Sequence, residues 1–188
     1  IHRNYNHIIL TNNIRDYLHE KNIDIENITS REKNQYLAIM ALDVLLEEKS
    51  FDDLISIKLP NNPGRFEIIQ NEPLKIIDGA HNIEGVERLL SDFGQLNDSL
   101  FVDLFIGFKK GKDYIDILNF IKGHKPNSIN LIQDNTFFEQ ETVAKIASHL
   151  EKIEQKYQVV HIDKFMENKN PCILLGSLYL IGEFKKDI

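Results

Sequence analysis

Five consecutive residues, Asp78-Gly79-Ala80-His81-Asn82, place a carboxylate, an imidazole and an amide in one short segment. The apolar residues Leu74, Ile76 and Ile77 precede it and are typical of a buried strand, and apolar residues at helical spacing follow it over 86–93. The segment is therefore predicted to be a strand-to-helix turn at the carboxyl edge of a parallel sheet. Because α/β proteins bind ligands at that edge, and a helix start offers N–H groups to an anion, we expect a binding site here.

The global composition indicates a globular protein with room for one good-sized domain and part of another. The chain has 188 residues, of which 42% are hydrophobic, and no apolar run approaches membrane-spanning length. A formal charge of −7 argues against a general nucleic-acid or anionic-membrane surface. We therefore expect a cytoplasmic monomer that binds neither nucleic acid nor membrane.

The single cysteine, Cys172, excludes an intrachain disulfide. It adjoins an apolar run at 173–175, so a small core residue is favoured over a nucleophile. The Cys and His residues show no spacing typical of a zinc site, and no metal-binding residue is predicted in the chain.

The first third of the chain reads as helical. Residues 13–21 are weakly helical, and Thr29 followed by Glu32 predicts a capping box for a helix that continues to Glu48. A shorter helical patch covers 51–57. The Pro, Asn and Gly residues within 59–64 form the clearest break, so we predict a domain boundary there, dividing the chain into 1–58 and 59–188.

After this boundary, strand and helix patterns alternate. Strands are predicted at 66–70, 74–77, 100–106, 128–133, 158–162 and 172–175, and helices at 83–93, 113–121, 139–157 and 178–184. The alternation predicts an α/β fold, a Rossmann-like, mostly parallel sheet with flanking helices, preceded by a partial helical segment. The G-x-G-x-x-G fingerprint is absent from the sequence, which disfavours a dinucleotide dehydrogenase.

Four segments at strand ends together resemble a known family. They are Pro63-Gly64-Arg65-Phe66-Glu67, the turn at 78–82, the run from Phe105 to Asp113, and Gly176-Ser177-Leu178-Tyr179-Leu180-Ile181-Gly182-Glu183. In order and spacing they resemble the C-terminal domain of the Mur ligase superfamily, and most of all folylpolyglutamate synthase/dihydrofolate synthase. The resemblance covers roughly residues 31–186.

The sequence departs from the family pattern at three places. Ile83 stands where the family usually has proline, and Gly111-Lys112-Asp113 stands where it has D-K-D. The upstream H-Q-x-x-N-A stretch is kept only around Asn34-Gln35, with Glu32 near the position of the histidine.

The resemblance implies an ATP-dependent ligase that activates a folate or dihydropteroate carboxylate as an acyl phosphate. The amine of L-glutamate then attacks, and ADP and phosphate are released. The family's P-loop pattern, G-x-x-x-x-G-K-S/T, does not occur in this sequence. We therefore expect the C-terminal portion of a longer synthetase, with residues 1–58 as a remnant of the central ATPase domain. On this view an N-terminal P-loop domain is the missing partner, the Mg²⁺ ligands lie mostly elsewhere, and the chain alone is inactive.

Three residues are predicted to contact ATP. Arg65 follows Pro-Gly at a domain hinge, where its bidentate fork suits the γ-phosphate and the charge of the transfer; the alternative is a solvated surface arginine. Asp78 ends a strand, where an acid commonly binds ribose hydroxyls; the alternative is a helix N-cap. Asn34 is assigned to ATP by resemblance alone.

Three residues are predicted to bind glutamate. The resemblance places His81 at the amino-acid and acyl-phosphate region, as a catalytic residue together with Arg65; the alternative is an ordinary turn histidine. Lys112 matches the family's D-K-D lysine, in a loop that also holds Lys109 and Lys110; a solvated loop is the alternative. Ser177 begins a helix and suits a substrate carboxylate, which is compatible with a plain N-cap serine.

Two other functions remain open at this point. One is a Mur-type ligase that adds a different amino acid, and the other is a non-catalytic nucleotide or amino-acid binding module. The choice between dihydrofolate synthesis and folate-tail extension depends on a pterin pocket that the resemblance places outside this chain.

Overall fold

The computed structural model describes residues 12–24, 28–46, 51–56, 62–97, 101–111, 113–133 and 143–186. The chain divides into two compact units, Ile1–Pro60 and Asn61–Ile188. That the first unit is the remnant of a central ATPase domain stays a prediction.

The first unit contains three helices: α1 (Asn12–Glu20), α2 (Ser30–Leu45) and α3 (Phe51–Ile55). The predicted capping box is confirmed, because Thr29 N–H donates to Glu32 Oε2 over 2.7 Å and Glu32 N–H donates to Thr29 Oγ1 over 3.3 Å. The prediction that α2 continues to Glu48 is wrong, since Leu46 already has an extended backbone. Helix α3 also ends earlier than predicted, at Ile55.

The second unit is built on a six-stranded sheet with the order β1-β2-β6-β3-β4-β5. The strands are β1 (Glu67–Asn71), β2 (Leu74–Asp78), β3 (Asp103–Ile106), β4 (Ser128–Ile132), β5 (Gln158–Val160) and β6 (Cys172–Leu175). Strand β1 is antiparallel to β2, as its two-residue connection requires, and every other pair is parallel. The predicted fold class, α/β with a mostly parallel sheet, is confirmed.

Helices cover both faces of this sheet. They are α4 (Ile83–Leu96), α5 (Tyr114–Gly123), α6 (Val143–Lys152), α7 (Lys164–Glu167) and α8 (Leu178–Phe184). Alternate residues of a strand point to opposite faces of the sheet and belong to two hydrophobic cores. Ile76 packs with residues of α4, α5 and α6, whereas Ile77 packs with residues of α7 and α8. Cys172 is buried in the second core, where burial raises the pKa of its thiol to about 11. No helix in the described part of the chain is long and apolar enough to cross a membrane.

In this unit one predicted helix ends earlier than expected, and one helix was not predicted. The helix predicted at 139–157 ends at Lys152, because Glu154 adopts a left-handed backbone with φ of +55°. Gln155 N–H then donates to Leu150 O over 2.8 Å, which closes the helix end. The four-residue helix α7 was not predicted. The fully buried Lys75 binds two carbonyls of this helix, since its Nζ donates to Phe165 O over 3.3 Å and also to Met166 O.

Candidate functional site

Three of the four family-like segments leave the sheet at one level of its carboxyl edge. In the ladder, Asp78 of β2 pairs with Leu175 of β6, and Leu175 pairs with Ile106 of β3. The turn at 78–82, the loop at 107–111 and the Gly176-Ser177 turn therefore start side by side. The strand order β2-β6-β3 therefore brings these three segments together at the carboxyl ends of the strands.

The loops after β3 and β6 are in main-chain contact. Gly107 N–H donates to Leu175 O over 3.2 Å, which extends the ladder one residue beyond the strands. Gly176 follows with φ of +116°, and a Cβ at this position would lie 2.6 Å from Gly107 O. Only glycine satisfies both conditions, so the glycine of the Gly-Ser pair lets the two loops pack together.

The fourth segment, at 63–67, is attached to the same edge by a main-chain hydrogen bond, and its own Glu67 side chain binds its backbone. Gly79 N–H donates to Gly64 O over 2.8 Å, and Gly64 N–H donates to Glu67 Oε2 over 2.7 Å. Gly64 and Phe66 have φ of +70° and +44°, a conformation that an aromatic residue adopts at a cost. A Cβ on Gly79 would collide with the Leu178 side chain, so glycine is also needed where this turn meets α8.

Asp78 holds this arrangement together. It is 1% exposed; Oδ2 accepts from Phe66 N–H over 2.8 Å and Oδ1 from Ala80 N–H over 2.7 Å. Burial raises the pKa of Asp78, against the opposing effect of those hydrogen bonds and of the Arg88 and Arg65 charges. The carboxylate therefore positions the Arg65 segment against the turn. Contact with ATP stays a prediction for this residue.

Asp78 does not cap the following helix, which was the alternative reading of this residue. The N-cap of α4 is Asn82, whose Oδ1 accepts from Gly85 N–H over 3.0 Å. The sequence signal for this cap was available, because asparagine directly precedes the first residue of the apolar helical pattern.

Arg65 lies at the surface of the edge. Its side chain is 36% exposed, and Nη1 lies 3.8 Å from Asp78 Oδ1, a long ion-pair distance. A guanidinium has five N–H donors, so this one contact leaves Arg65 able to bind an anion such as a phosphate.

His81 has a defined orientation. Its Nδ1 lies 2.9 Å from Gly79 O, and since a carbonyl oxygen only accepts, Nδ1 must bear the hydrogen. In the neutral ring Nε2 is then a hydrogen-bond and proton acceptor. The half-buried ring can therefore accept a proton from a ligand at Nε2.

Ser177 is the N-cap of α8. This confirms the prediction of an N-cap serine, which was compatible with the predicted contact to a substrate carboxylate. It is 4% exposed, and its Oγ accepts from Tyr179 N–H over 3.2 Å. A hydroxyl that accepts this bond can still donate its own hydrogen to a second group. Ser177 can therefore cap α8 and bind a substrate carboxylate at the same time.

The remaining predicted residues are placed less fully. Lys112 lies outside the described residues. Asn34 is exposed on α2 of the first unit, and its ATP contact stays a prediction. In the same loop as Lys112, Lys109 places its Nζ 4.5 Å from the ring centroid of Tyr179.

Glu67 also lies at this edge, although the sequence analysis predicted no role for it. Its Oε1 accepts from Lys185 Nζ over 2.6 Å while Oε2 accepts from Gly64 N–H. Partial burial works to raise the pKa of Glu67, but the hydrogen bonds from Lys185 and Gly64 outweigh it and hold the pKa below its ordinary value. Its position in the Pro-Gly-Arg-Phe-Glu segment was the available signal.

A cavity of about 520 Å³ lies away from these residues, on the sheet face beside α7. Asp103, Asn130, Gln158 and Lys164 are among its lining residues, and it includes no residue predicted for the site. In the part of the chain that the structure describes, no three His, Cys, Asp or Glu side chains are grouped as metal ligands.

One curated relative matches most of this chain. It is the dihydrofolate synthase/folylpolyglutamate synthase of Bacillus subtilis, 29% identical over 171 residues, which are 84% of this chain and 39% of the relative. The chain thus spans about two fifths of the length of the relative. No family model matches the chain.

Solved structures of similarly named proteins share the fold. Helicobacter pylori folylpolyglutamate synthetase has a TM-score of 0.63 at 20% identity, covering 94% of this chain and 43% of that chain. Mycobacterium tuberculosis folylpolyglutamate synthase complexed with ADP has a TM-score of 0.68 at 17% identity, covering 84% and 40%. The bifunctional folylpolyglutamate synthase/dihydrofolate synthase of Yersinia pestis has a TM-score of 0.67 at 18% identity, covering 86% of this chain and 39% of that chain. The resemblance to folylpolyglutamate synthase/dihydrofolate synthase that the four segments indicated is therefore confirmed by a homologue of that name and by neighbours with this fold.

Proposed function

We propose that this chain is the C-terminal part of an ATP-dependent ligase that joins L-glutamate to a folate or dihydropteroate carboxylate. The observation that supports this most is the meeting of four family-like segments at one edge of the sheet, in a chain homologous to a dihydrofolate synthase/folylpolyglutamate synthase. In the proposed reaction the acceptor carboxylate attacks the γ-phosphorus of ATP, and ADP leaves. The glutamate nitrogen then attacks the acyl carbon, phosphate leaves and the amine loses a proton.

Arg65 acts on the phosphoryl group in this proposal. Its exposed guanidinium can bind the γ-phosphate and stabilise the charge that develops on the transferred oxygens. Asp78 fixes the segment that holds Arg65, and its proposed contact with the ribose comes in addition to that positioning role.

His81 and Ser177 act on glutamate. The Nε2 of His81 is available to accept the proton that the amine loses, since Nδ1 is held by Gly79 O. The Ser177 hydroxyl donates to a glutamate carboxylate, and Lys112 adds positive charge from the neighbouring loop.

The proposal assigns the remaining functions to the rest of a longer protein. An N-terminal P-loop domain would bind the ATP phosphates, and Mg²⁺ would be held mostly by residues of that part. Within this chain Asn34 would contact ATP from the remnant of the central domain. The whole enzyme would be a cytoplasmic monomer of folate and one-carbon metabolism. Other solved neighbours were determined with ADP and AMPPCP, and with AMPPNP and Mn, which supports nucleotide binding as part of the proposal.

A coupled assay of the full-length protein tests this function. Purified protein is given ATP, L-glutamate and one acceptor: dihydropteroate, tetrahydrofolate or a nucleotide-linked peptide. We expect glutamate addition to a pteroyl acceptor with one ADP released per bond. Addition only to the peptide would indicate another Mur-type ligase. Binding without turnover on every acceptor would indicate a non-catalytic module and contradict the proposal.

A further inference from the structure

Lys109 and Tyr179 form a cation–π contact across the candidate edge. The Lys109 ammonium lies 4.5 Å from the centroid of the Tyr179 ring, well within the range of such contacts. Lys109 is half-buried, whereas the Tyr179 side chain is 57% exposed. The pair therefore presents a fixed positive charge at the surface of the edge.

Both partners are held in place by the backbone that precedes them. Phe108, next to Lys109, is fully buried in the core under α4 and α5. On the other side, Tyr179 N–H is bound by Ser177 Oγ at the start of α8. Because Gly176 packs directly on Gly107 O, the two loops cannot separate without breaking main-chain contacts. The two backbone segments that carry Lys109 and Tyr179 are therefore held next to each other.

The position of this charge matches what glutamate requires. Free L-glutamate has two carboxylates and one ammonium at neutral pH, so its binding calls for at least one cation. In this chain of net charge −7, Lys109 supplies one, three residues from the loop lysine that the family pattern had singled out. Both groups contact Tyr179, since Lys109 Nζ lies over its ring and Ser177 Oγ accepts from its backbone N–H, so this tyrosine links the lysine to the hydroxyl.

We propose that Lys109, oriented by Tyr179, binds a carboxylate of L-glutamate beside Ser177. This inference rests on the proposed function and adds a specificity-determining residue to it. Lys109 is the binding residue, and Tyr179 is a positioning residue that acts through the lysine.

Steady-state kinetics of the full-length ligase test this inference. Lys109→Met is expected to raise the KM for glutamate about tenfold, as for loss of a hydrogen bond to a charged group, with little change in the KM for ATP. Lys109→Arg should restore most of the affinity. Lys110→Met, at the exposed neighbouring position, is the matched control and should leave both KM values unchanged.

The role of the ring is tested by a double-mutant cycle. Tyr179→Phe keeps the aromatic face and should behave as wild type, whereas Tyr179→Leu should raise the KM for glutamate about threefold. The double variant with Lys109→Met and Tyr179→Leu should be no worse than Lys109→Met alone, because the ring acts through the lysine. Additive effects would overturn the positioning role of Tyr179.

L-glutamine and isoglutamine as inhibitors identify the carboxylate, since each lacks one of the two. Wild-type protein should bind these amides more weakly than glutamate, and for one of the two amides Lys109→Met should make this difference in affinity smaller. If wild-type protein ligates glutamate and Lys109→Met has the same KM for glutamate as wild type, this inference is wrong while the proposed function stands. If wild-type protein ligates no glutamate to any acceptor, both are wrong.

Discussion

The Asp78 carboxylate joins Phe66 to the turn that follows β2. Its Oδ2 accepts the Phe66 N–H over 2.8 Å across 12 residues of sequence, while Oδ1 accepts the Ala80 N–H over 2.7 Å. Arg65 directly precedes Phe66, and its Nη1 lies 3.8 Å from Asp78 Oδ1. The Asp78 carboxylate thus holds the segment at 63–67 against the turn at 78–82.

Asp78→Ala is therefore expected to reduce stability as well as function. The buried Ala80 N–H and the partly buried Phe66 N–H lose their acceptor, so the free energy of unfolding should fall by about 2–4 kcal/mol. Urea denaturation of the 188-residue chain measures this, with Asp116→Ala on the exposed face of α5 as the control. In the full-length ligase the same variant should mainly raise the KM for ATP. Unchanged stability would contradict the positioning role.

Ser177→Ala separates the amino-acid site from the nucleotide site. Loss of the hydroxyl should raise the KM for glutamate by the equivalent of about 1–2 kcal/mol and leave the KM for ATP nearly constant. The same change removes the cap of α8 and should lower stability by about 1 kcal/mol. Ser177→Thr keeps the hydroxyl and should recover both properties. A higher KM for ATP alone would move Ser177 out of the amino-acid site, and equal losses for both substrates would leave it a structural cap.

Local sequence patterns predicted the elements that local chemistry fixes. Thr29 with Glu32 marked the start of α2, and the residues of α8 were predicted without error because Gly176-Ser177 precedes an apolar pattern. The edge was predictable for a similar reason: a strand followed by a helix puts its turn at the carboxyl end of the sheet. Residues 79–82 needed no tertiary information to be placed there.

Tertiary contacts account for what the sequence did not reveal. The end of α6 depends on Glu154 adopting a left-handed conformation, which no glycine or asparagine announces. Helix α7 depends on Lys75, a buried lysine from a distant strand. The link from Asp78 to Phe66 and the stacking of Lys109 on Tyr179 likewise arise only when separate segments are brought together.

Asp103 gives a prediction about acid stability at the opposite end of the sheet. Burial works to raise its pKa, but hydrogen bonds from Ser128, Asn168, Asn170 and Asn127 outweigh it and hold the pKa below its ordinary value of about 3.9. A lowered pKa contributes stability that is present above the unfolded-state pKa and is lost as the pH falls through the folded-state value. Asp103→Asn should therefore cost about 2–3 kcal/mol at pH 7, and the difference from wild type should narrow below about pH 4. Chemical denaturation at several pH values measures both, and a difference that stays constant from pH 7 to pH 3 would contradict the assignment.

The 188-residue chain by itself is expected to show no ATP-dependent ligation. Its sequence has no phosphate-binding P-loop pattern, and in the proposed function the γ-phosphate partners other than Arg65 belong to the rest of a longer protein. Calorimetric titration with ATP and Mg²⁺ should show weak or undetectable binding. Tight, magnesium-dependent ATP binding, or turnover above background, would show that the chain is a complete unit.

The kcat of Arg65→Ala in the full-length enzyme tests the central claim, that this edge performs phosphoryl and acyl transfer, most directly. The Arg65 side chain is partly exposed and its ion pair with the buried Asp78 is long, at 3.8 Å, so its loss should disturb the fold little. At saturating substrates, kcat should fall by the equivalent of about 2–4 kcal/mol, with the KM for glutamate nearly unchanged; Arg65→Lys should recover only part of the loss. An unchanged kcat, or an effect confined to the KM for glutamate, would contradict the account.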